Sequence, residues 1–166
     1  MESALEEAQK AFNRGDFPVG CVIVQHDRVI STGSRTGTLS KTTRASEIDH
    51  AEIRALKKLE SEDLDFCPDS AVLFSTMEPC LMCFAAIILS GIKQIVYAYE
   101  DPMGGGTKCD LKQLPSLYSG SGINVTSGVL RKKSLDLFQK FFKKEDNLYW
   151  KNSELERYTL DQSVEP

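Results

Sequence analysis

The segment Ala71-Val-Leu-Phe-Ser-Thr-Met-Glu-Pro-Cys-Leu-Met-Cys-Phe-Ala-Ala-Ile-Ile-Leu-Ser-Gly-Ile-Lys-Gln-Ile-Val-Tyr-Ala-Tyr99 decides the fold. Its first residues, Ala71 to Phe74, form a short apolar run of strand length. Cys80 to Leu89 is an almost wholly apolar helix, which implies burial on most of its sides. Gly91 stops that helix, and Gln94 to Tyr99 has the β-branched and aromatic content of a strand.

The alternation continues outward. Residues 1–14 read as an amphipathic helix with Leu5, Ala8 and Phe12 on one face, ended by Gly15 and Asp16. Val19 to Val24 is a buried strand, Gln25 to Asp27 a turn, and Arg28 to Thr32 an antiparallel second strand. Ser31 to Thr43 is a polar loop, and Ile48 to Leu59 follows a helical period. Beyond Tyr99, the glycine-rich Asp101 to Gly106 is a loop, a short helix is expected near Lys108 to Leu114, and Ile123 to Thr126 is a fifth strand. Leu130 to Lys144 is a strongly amphipathic helix with Leu135, Phe138, Phe141 and Phe142 inward. Trp150, Leu155, Tyr158 and Leu160 recur in the tail at roughly helical spacing. Strands interleaved with helices predict the α/β class, three layers (α/β/α) around a central mixed five-stranded sheet.

The chain has 166 residues, enough for one domain, and shows no internal repeat. Its net charge of −4 argues against a large nucleic-acid footprint, because phosphate binding relies on clustered Lys and Arg. Arg131, Lys132, Lys133, Lys140, Lys143 and Lys144 would nonetheless make a local basic patch. No apolar run is long enough to span a bilayer, and the acidic start lacks the regions of a signal peptide, so a cytoplasmic protein with no membrane partner is expected. Five cysteines, an odd number, then read as thiols or metal ligands rather than disulfides.

Two motifs carry chemistry: His50-Ala51-Glu52 near one helix start and Pro79-Cys80-Leu81-Met82-Cys83 at another. Cys-x-x-Cys at a helix start aims both sulfurs at one point, where the positive end of the helix favours thiolates. With one imidazole, these thiolates make a three-ligand zinc site whose fourth position is left for water, and zinc lowers the pKa of such a water toward about 7. Glu52 is placed beside that water without binding the metal, as a proton carrier. A structural zinc site would require a second ligand pair, and the remaining cysteines are lone. A redox pair would leave His50 and Glu52 without a role.

His-x-Glu with Pro-Cys-x-x-Cys is the pattern of zinc deaminases that act on nucleobases. The sequence resembles the cytidine deaminase superfamily, in the branch of tRNA adenosine deaminases, guanine deaminases and fungal cytosine deaminase. The resemblance runs over roughly residues 1–145, through Phe17 to Val24, Asp49 to Leu56 and Ser75 to Cys83, and Phe141-Phe142 is like the tRNA enzymes. It implies a catalytic domain over 1–145 with a C-terminal extension, 146–166, packing on or near the active site. It implies one zinc ion per chain on His50, Cys80 and Cys83, with Glu52 catalytic. It also implies removal of an exocyclic amino group from a nucleobase or nucleoside, and a homodimer, toward which the apolar helix after Cys80 also points. Ser34 stands where these enzymes are expected to carry a base-holding Asn, and Asp101 matches an Asp near the substrate in tRNA adenosine deaminases. Ala51 and Glu78 of the motifs, and Trp150 of the tail, complete the expected substrate contacts. The acidic charge, Ser34 and the aromatic tail lean toward a small molecule. The alternatives are adenosine in a tRNA anticodon loop, deaminated to inosine, and a non-catalytic homologue that binds nucleic acid or a partner subunit.

Overall fold

Two glycines set the layers. In the computed structural model, which describes residues 1–38, 46–62 and 65–163, the chain opens with α1 (Glu2–Arg14), β1 (Gly20–Gln25), β2 (Arg28–Ser34) and α2 (Ala51–Ser61). A Cβ on Gly20 would lie 2.2 Å from the Ala4 carbonyl oxygen of α1, and one on Gly33 would lie 2.1 Å from the Ala51 carbonyl oxygen of α2. Gly33 pairs with Cys21, the neighbour of Gly20. Successive strand residues face opposite sides, so α1 and α2 press on opposite faces of the sheet.

The remaining elements are β3 (Ala71–Met77), α3 (Leu81–Leu89), β4 (Gln94–Tyr99), α4 (Ser116–Ser119), β5 (Asn124–Thr126), α5 (Arg131–Phe142) and α6 (Glu154–Asp161). The sheet has the order β2-β1-β3-β4-β5. β1 is antiparallel to both β2 and β3, while β3–β4 and β4–β5 are parallel. This is the expected mixed five-stranded sheet, and α3 is the crossover that a parallel pair requires. α1 and α5 cover one face, with α6 against α5; α2 covers the other, with α3 beside it. Leu73, Ile23, Phe84, Ile95, Phe138 and Phe141 anchor one continuous core.

β4 has the bounds read from the sequence, and β2 runs two residues further, into the expected polar loop; residues 39–43 of that loop lie outside the described residues. α3 differs from its reading. Leu81, Met82 and Leu89 are 57%, 37% and 61% exposed, because α3 packs inward through Cys83, Phe84, Ile87 and Ile88 alone. The short helix near Lys108 is a 3-10 turn at Leu111–Gln113 followed by α4. Trp150 precedes α6 rather than joining it, in a left-handed turn with φ 53°. The tail is part of the fold: Leu155 is in the core, and buried Thr159 is hydrogen-bonded to Tyr99 and, through its carbonyl, to Gln139.

Candidate active site

His50 and Cys80 hold equivalent positions. Each is the N-cap of its helix, α2 and α3, with extended backbone, so its side chain leaves the helix axis. Neither side chain caps its own helix. The two meet instead: His50 Nδ1 lies 3.6 Å from Cys80 Sγ and 3.4 Å from Cys83 Sγ. The donor atoms of His50, Cys80 and Cys83 all fall within 4.8 Å of one another, the only such cluster of three among the described residues. The Cys80 thiol is held down to about 4, chiefly by the neighbouring Cys83 thiol, against burial and with help from His50. Cys83 is pushed up by the Cys80 sulfur, by burial and by Glu52. The pair therefore favours one thiolate by itself, and a divalent cation at the shared point would displace the second proton. Two sulfurs and an imidazole suit zinc, so the residues fit the metal.

Glu52 sits in the first turn of α2, 2% exposed. Ser75 Oγ donates to its Oε1 at 2.8 Å, and its Oε2 lies 3.5 Å from Cys83 Sγ. Cys21, Gly33 and Ser75 are register partners, which puts Ser75 on the α2 face of the sheet. Burial pushes the Glu52 carboxyl above the ordinary carboxylate range.

A cavity of about 270 Å³ opens onto this cluster. His50, Ala51, Glu52 and Cys80 form its floor, and Phe17, Val19 and Met77 an apolar wall. Glu78, Asp101, Met103 and Gly104 form another side, and Tyr149, Trp150 and Leu155 of the tail close it. Glu78, 4% exposed, accepts from Thr107 Oγ1 (2.5 Å) and from the Asp101 N–H (3.1 Å). A Cβ on Gly105 would lie 2.5 Å from Glu78 Cδ, so the glycine-rich loop can press against this carboxylate only without a side chain there. Asp101 Oδ1 accepts from the N–H groups of Met103 and Gly104, both at 2.9 Å; burial raises its pKa against those bonds.

The cavity thus gathers Ala51, Glu78, Asp101 and Trp150 around His50, Glu52 and Cys80. It does not gather Ser34, whose hydroxyl accepts from Arg14 Nη2 at 3.1 Å beside a separate surface hollow. The reason is strand parity. Ser34 pairs with Gly20 on the α1 side, and the next residue, Arg35, lines the cavity. Ser31 and Gly33 both face α2, so odd positions continue toward the site; that alternation is the signal that would have selected Arg35. Tyr149 was also missed. Its backbone is held by Asn147, whose Oδ1 accepts from the Tyr149 N–H at 3.1 Å, and its ring packs 5.4 Å from Phe17. Tyr158 does not line the cavity; its hydroxyl donates to Glu100 at 2.7 Å.

The zinc-binding region of cytidine and deoxycytidylate deaminases matches residues 1–99. The tRNA-specific adenosine deaminase of Agrobacterium fabrum is 36% identical over 145 residues, 86% of this chain and 91% of that protein. A solved structure from work on A-to-I editing by tRNA:A34 deaminases at the wobble position superposes with a TM-score of 0.66 at 34% identity, covering 82% of this chain and 96% of the other. A guanine deaminase from Nitrosomonas europaea superposes with a TM-score of 0.64 at 25% identity, covering 84% and 81%.

Proposed function

We propose, for a chain that belongs to the zinc-binding cytidine and deoxycytidylate deaminase family, that the substrate is a free base or nucleoside enclosed in this cavity. The chain is a zinc-dependent hydrolytic deaminase of a nucleobase or nucleoside. The observation that supports a small substrate is the closing wall. Tyr149, Trp150 and Leu155 come from the chain's own tail, and the cavity they complete is slightly below the about 300–1,000 Å³ of clefts for drug-sized ligands. The basic patch also shrinks on folding: Arg131 pairs with Glu100, Lys133 with Glu2 and Lys140 with Asp136.

His50, Cys80 and Cys83 hold the metal in this reading, and bound zinc supplies a water that loses its proton near neutral pH. Glu52 would take that proton and give it to the ring nitrogen as the water oxygen bonds to the amino-bearing carbon, then take the second proton from the hydroxyl on that carbon and deliver it to the departing amine. Ammonia leaves and an oxo group remains. Its raised pKa suits a group that must both accept and return a proton. Ala51, Glu78, Asp101 and Trp150 are assigned to the substrate's surroundings. Two copies are assigned to meet through the exposed side of α3, and the five free cysteines accord with a cytoplasmic site of action.

A second reading, adenosine-to-inosine editing in a tRNA anticodon loop, is favoured by the 36% identity to the Agrobacterium enzyme. Ammonia release from adenine, guanine, cytosine, their nucleosides and an anticodon stem-loop, at low and high salt, separates the two. A free base or nucleoside should turn over with weak salt dependence. Turnover of the stem-loop alone, falling steeply with salt as phosphate contacts are lost, would establish the second reading.

A further inference from the structure

Among the described residues, Arg35 Nη1 is the only buried side-chain nitrogen or oxygen without a hydrogen-bond partner. The Arg35 side chain is 2% exposed and lines the cavity. Its other terminal nitrogen, Nη2, is committed: it donates to the Ser46 carbonyl at 2.5 Å and to the Tyr149 hydroxyl at 3.2 Å. That hydroxyl in turn donates to Glu47 Oε2 at 3.0 Å, so the guanidinium is pinned from the tail. The carboxylates around the cavity already have donors: Glu52 has Ser75, Glu78 has Thr107 and the Asp101 N–H, and Asp101 has two backbone N–H groups. The wall therefore holds satisfied acceptors and one idle charged donor. An unmade hydrogen bond on a buried guanidinium is costly unless a water or a ligand makes it.

The ligand need not bring charge. Glu47 Oε2 stands 3.6 Å from Arg35 Nη2 and supplies the counter-charge. What is missing is an acceptor. We propose that Arg35 is the specificity residue of the site: its Nη1 donates to an oxo oxygen on the substrate ring, so the enzyme takes amino-oxo heterocycles, of the cytosine or guanine kind, over rings that carry an amino group alone. A lactam oxygen projects from the ring and offers two lone pairs, which lets it meet a donor on the wall. This inference rests on the deaminase reading of the cavity.

Binding tests it without turnover. Trp150 is the chain's single tryptophan and lines the cavity, so its fluorescence reports occupancy. The probes are pairs without an amino group that differ by one oxo group: pyrimidin-2-one against pyrimidine, and hypoxanthine against purine. In the zinc-loaded full chain the oxo member of each pair should bind at least about 100-fold more tightly, as a site built around one polar partner discriminates. Arg35→Met should reduce the preference to within a few-fold while zinc content is kept. Equal affinity within the wild-type pairs overturns the proposal even if that variant fails to fold, and so does a preference that survives Arg35→Met. Orotate binding more than about tenfold tighter than uracil would make Arg35 an anion site and also overturns it. Failure of the deaminase reading looks different: no ammonia from any base, with the pair preference intact.

Discussion

Ser75, in the central strand, donates its hydroxyl to Oε1 of Glu52 on the overlying helix at 2.8 Å. This bond orients the carboxylate and leaves Oε2 beside the metal donors, 3.5 Å from Cys83 Sγ. Glu52→Ala should therefore retain fold and zinc and lose about 10²–10⁴-fold in kcat. Steady-state ammonia release from metal-loaded variant protein is the measurement, and wild-type turnover would remove Glu52 from the mechanism.

The donor cluster makes a prediction about stoichiometry. Elemental analysis of freshly purified, reduced protein should find about one zinc per chain. His50→Ala, Cys80→Ala and Cys83→Ala should each lose it, whereas Cys67→Ala and Cys109→Ala, at exposed thiols far from the cluster in sequence, should not. Zinc retained by all three cluster variants would show that the ion is held elsewhere.

Glu100 gives a pH dependence of stability. Although burial raises its pKa, bonds from Arg131 and Tyr158 hold the carboxyl down to about 2, below its ordinary 4.5. A lowered folded-state pKa means stabilisation that is present above about 4.5 and is lost as pH falls through about 2. The gap in urea midpoint between wild type and Glu100→Gln should be full at pH 7 and narrow steadily between about pH 5 and 3. A gap independent of pH would show that the carboxylate charge contributes nothing.

Trp150 occupies a left-handed backbone conformation, φ 53°, which costs a bulky residue about 1–3 kcal/mol. Its side chain is also 42% exposed, so its burial contributes little to the core. Trp150→Gly should leave the melting temperature unchanged or higher while raising KM about tenfold. A fall in stability with KM unchanged would make the ring a packing element only. Removing residues 147–166 is a harsher change, because it strips Leu155 from the core and exposes the cavity left behind; that truncation should cost stability as well as activity.

Leu81, Leu89 and Ile48 are 57%, 61% and 69% exposed, apolar surface that a second copy would cover. Light scattering at micromolar concentration should give twice the chain mass, and Leu81→Lys with Leu89→Lys should halve it. A monomer in the wild type would refute the assigned interface.

Much of this site was legible because its chemistry is local in sequence. His50 with Glu52, and Cys80 with Cys83, are fixed by spacing at two helix starts, and β4 was readable because Ile95, Val96, Tyr97 and Tyr99 are β-branched or aromatic. Ser34 was a near miss of another kind. Strand alternation turns Ser34 and Arg35 to opposite faces and groups Arg35 with Ser31 and Gly33, but which of the two faces lies under α2 follows from the pairing of Cys21 with Gly33, a long-range fact. The apolar helix α3 could not be assigned a bare outer side from composition alone, since a buried helix and a helix with an uncovered face have the same residues. Tyr149 was hidden because its place depends on a turn held by Asn147 and on packing against Phe17, about 130 residues earlier by number.

The closing wall of the cavity lies far along the chain from its floor. All three metal donors have left the ribosome once residue 83 has emerged, whereas Tyr149, Trp150 and Leu155 follow more than sixty positions later. Synthesis therefore separates two events in time. The three donors are complete in the nascent chain before the residues of the tail wall have been made. An ion has unobstructed entry during that interval, so the order of the chain leaves room for metal capture before the tail wall is in place.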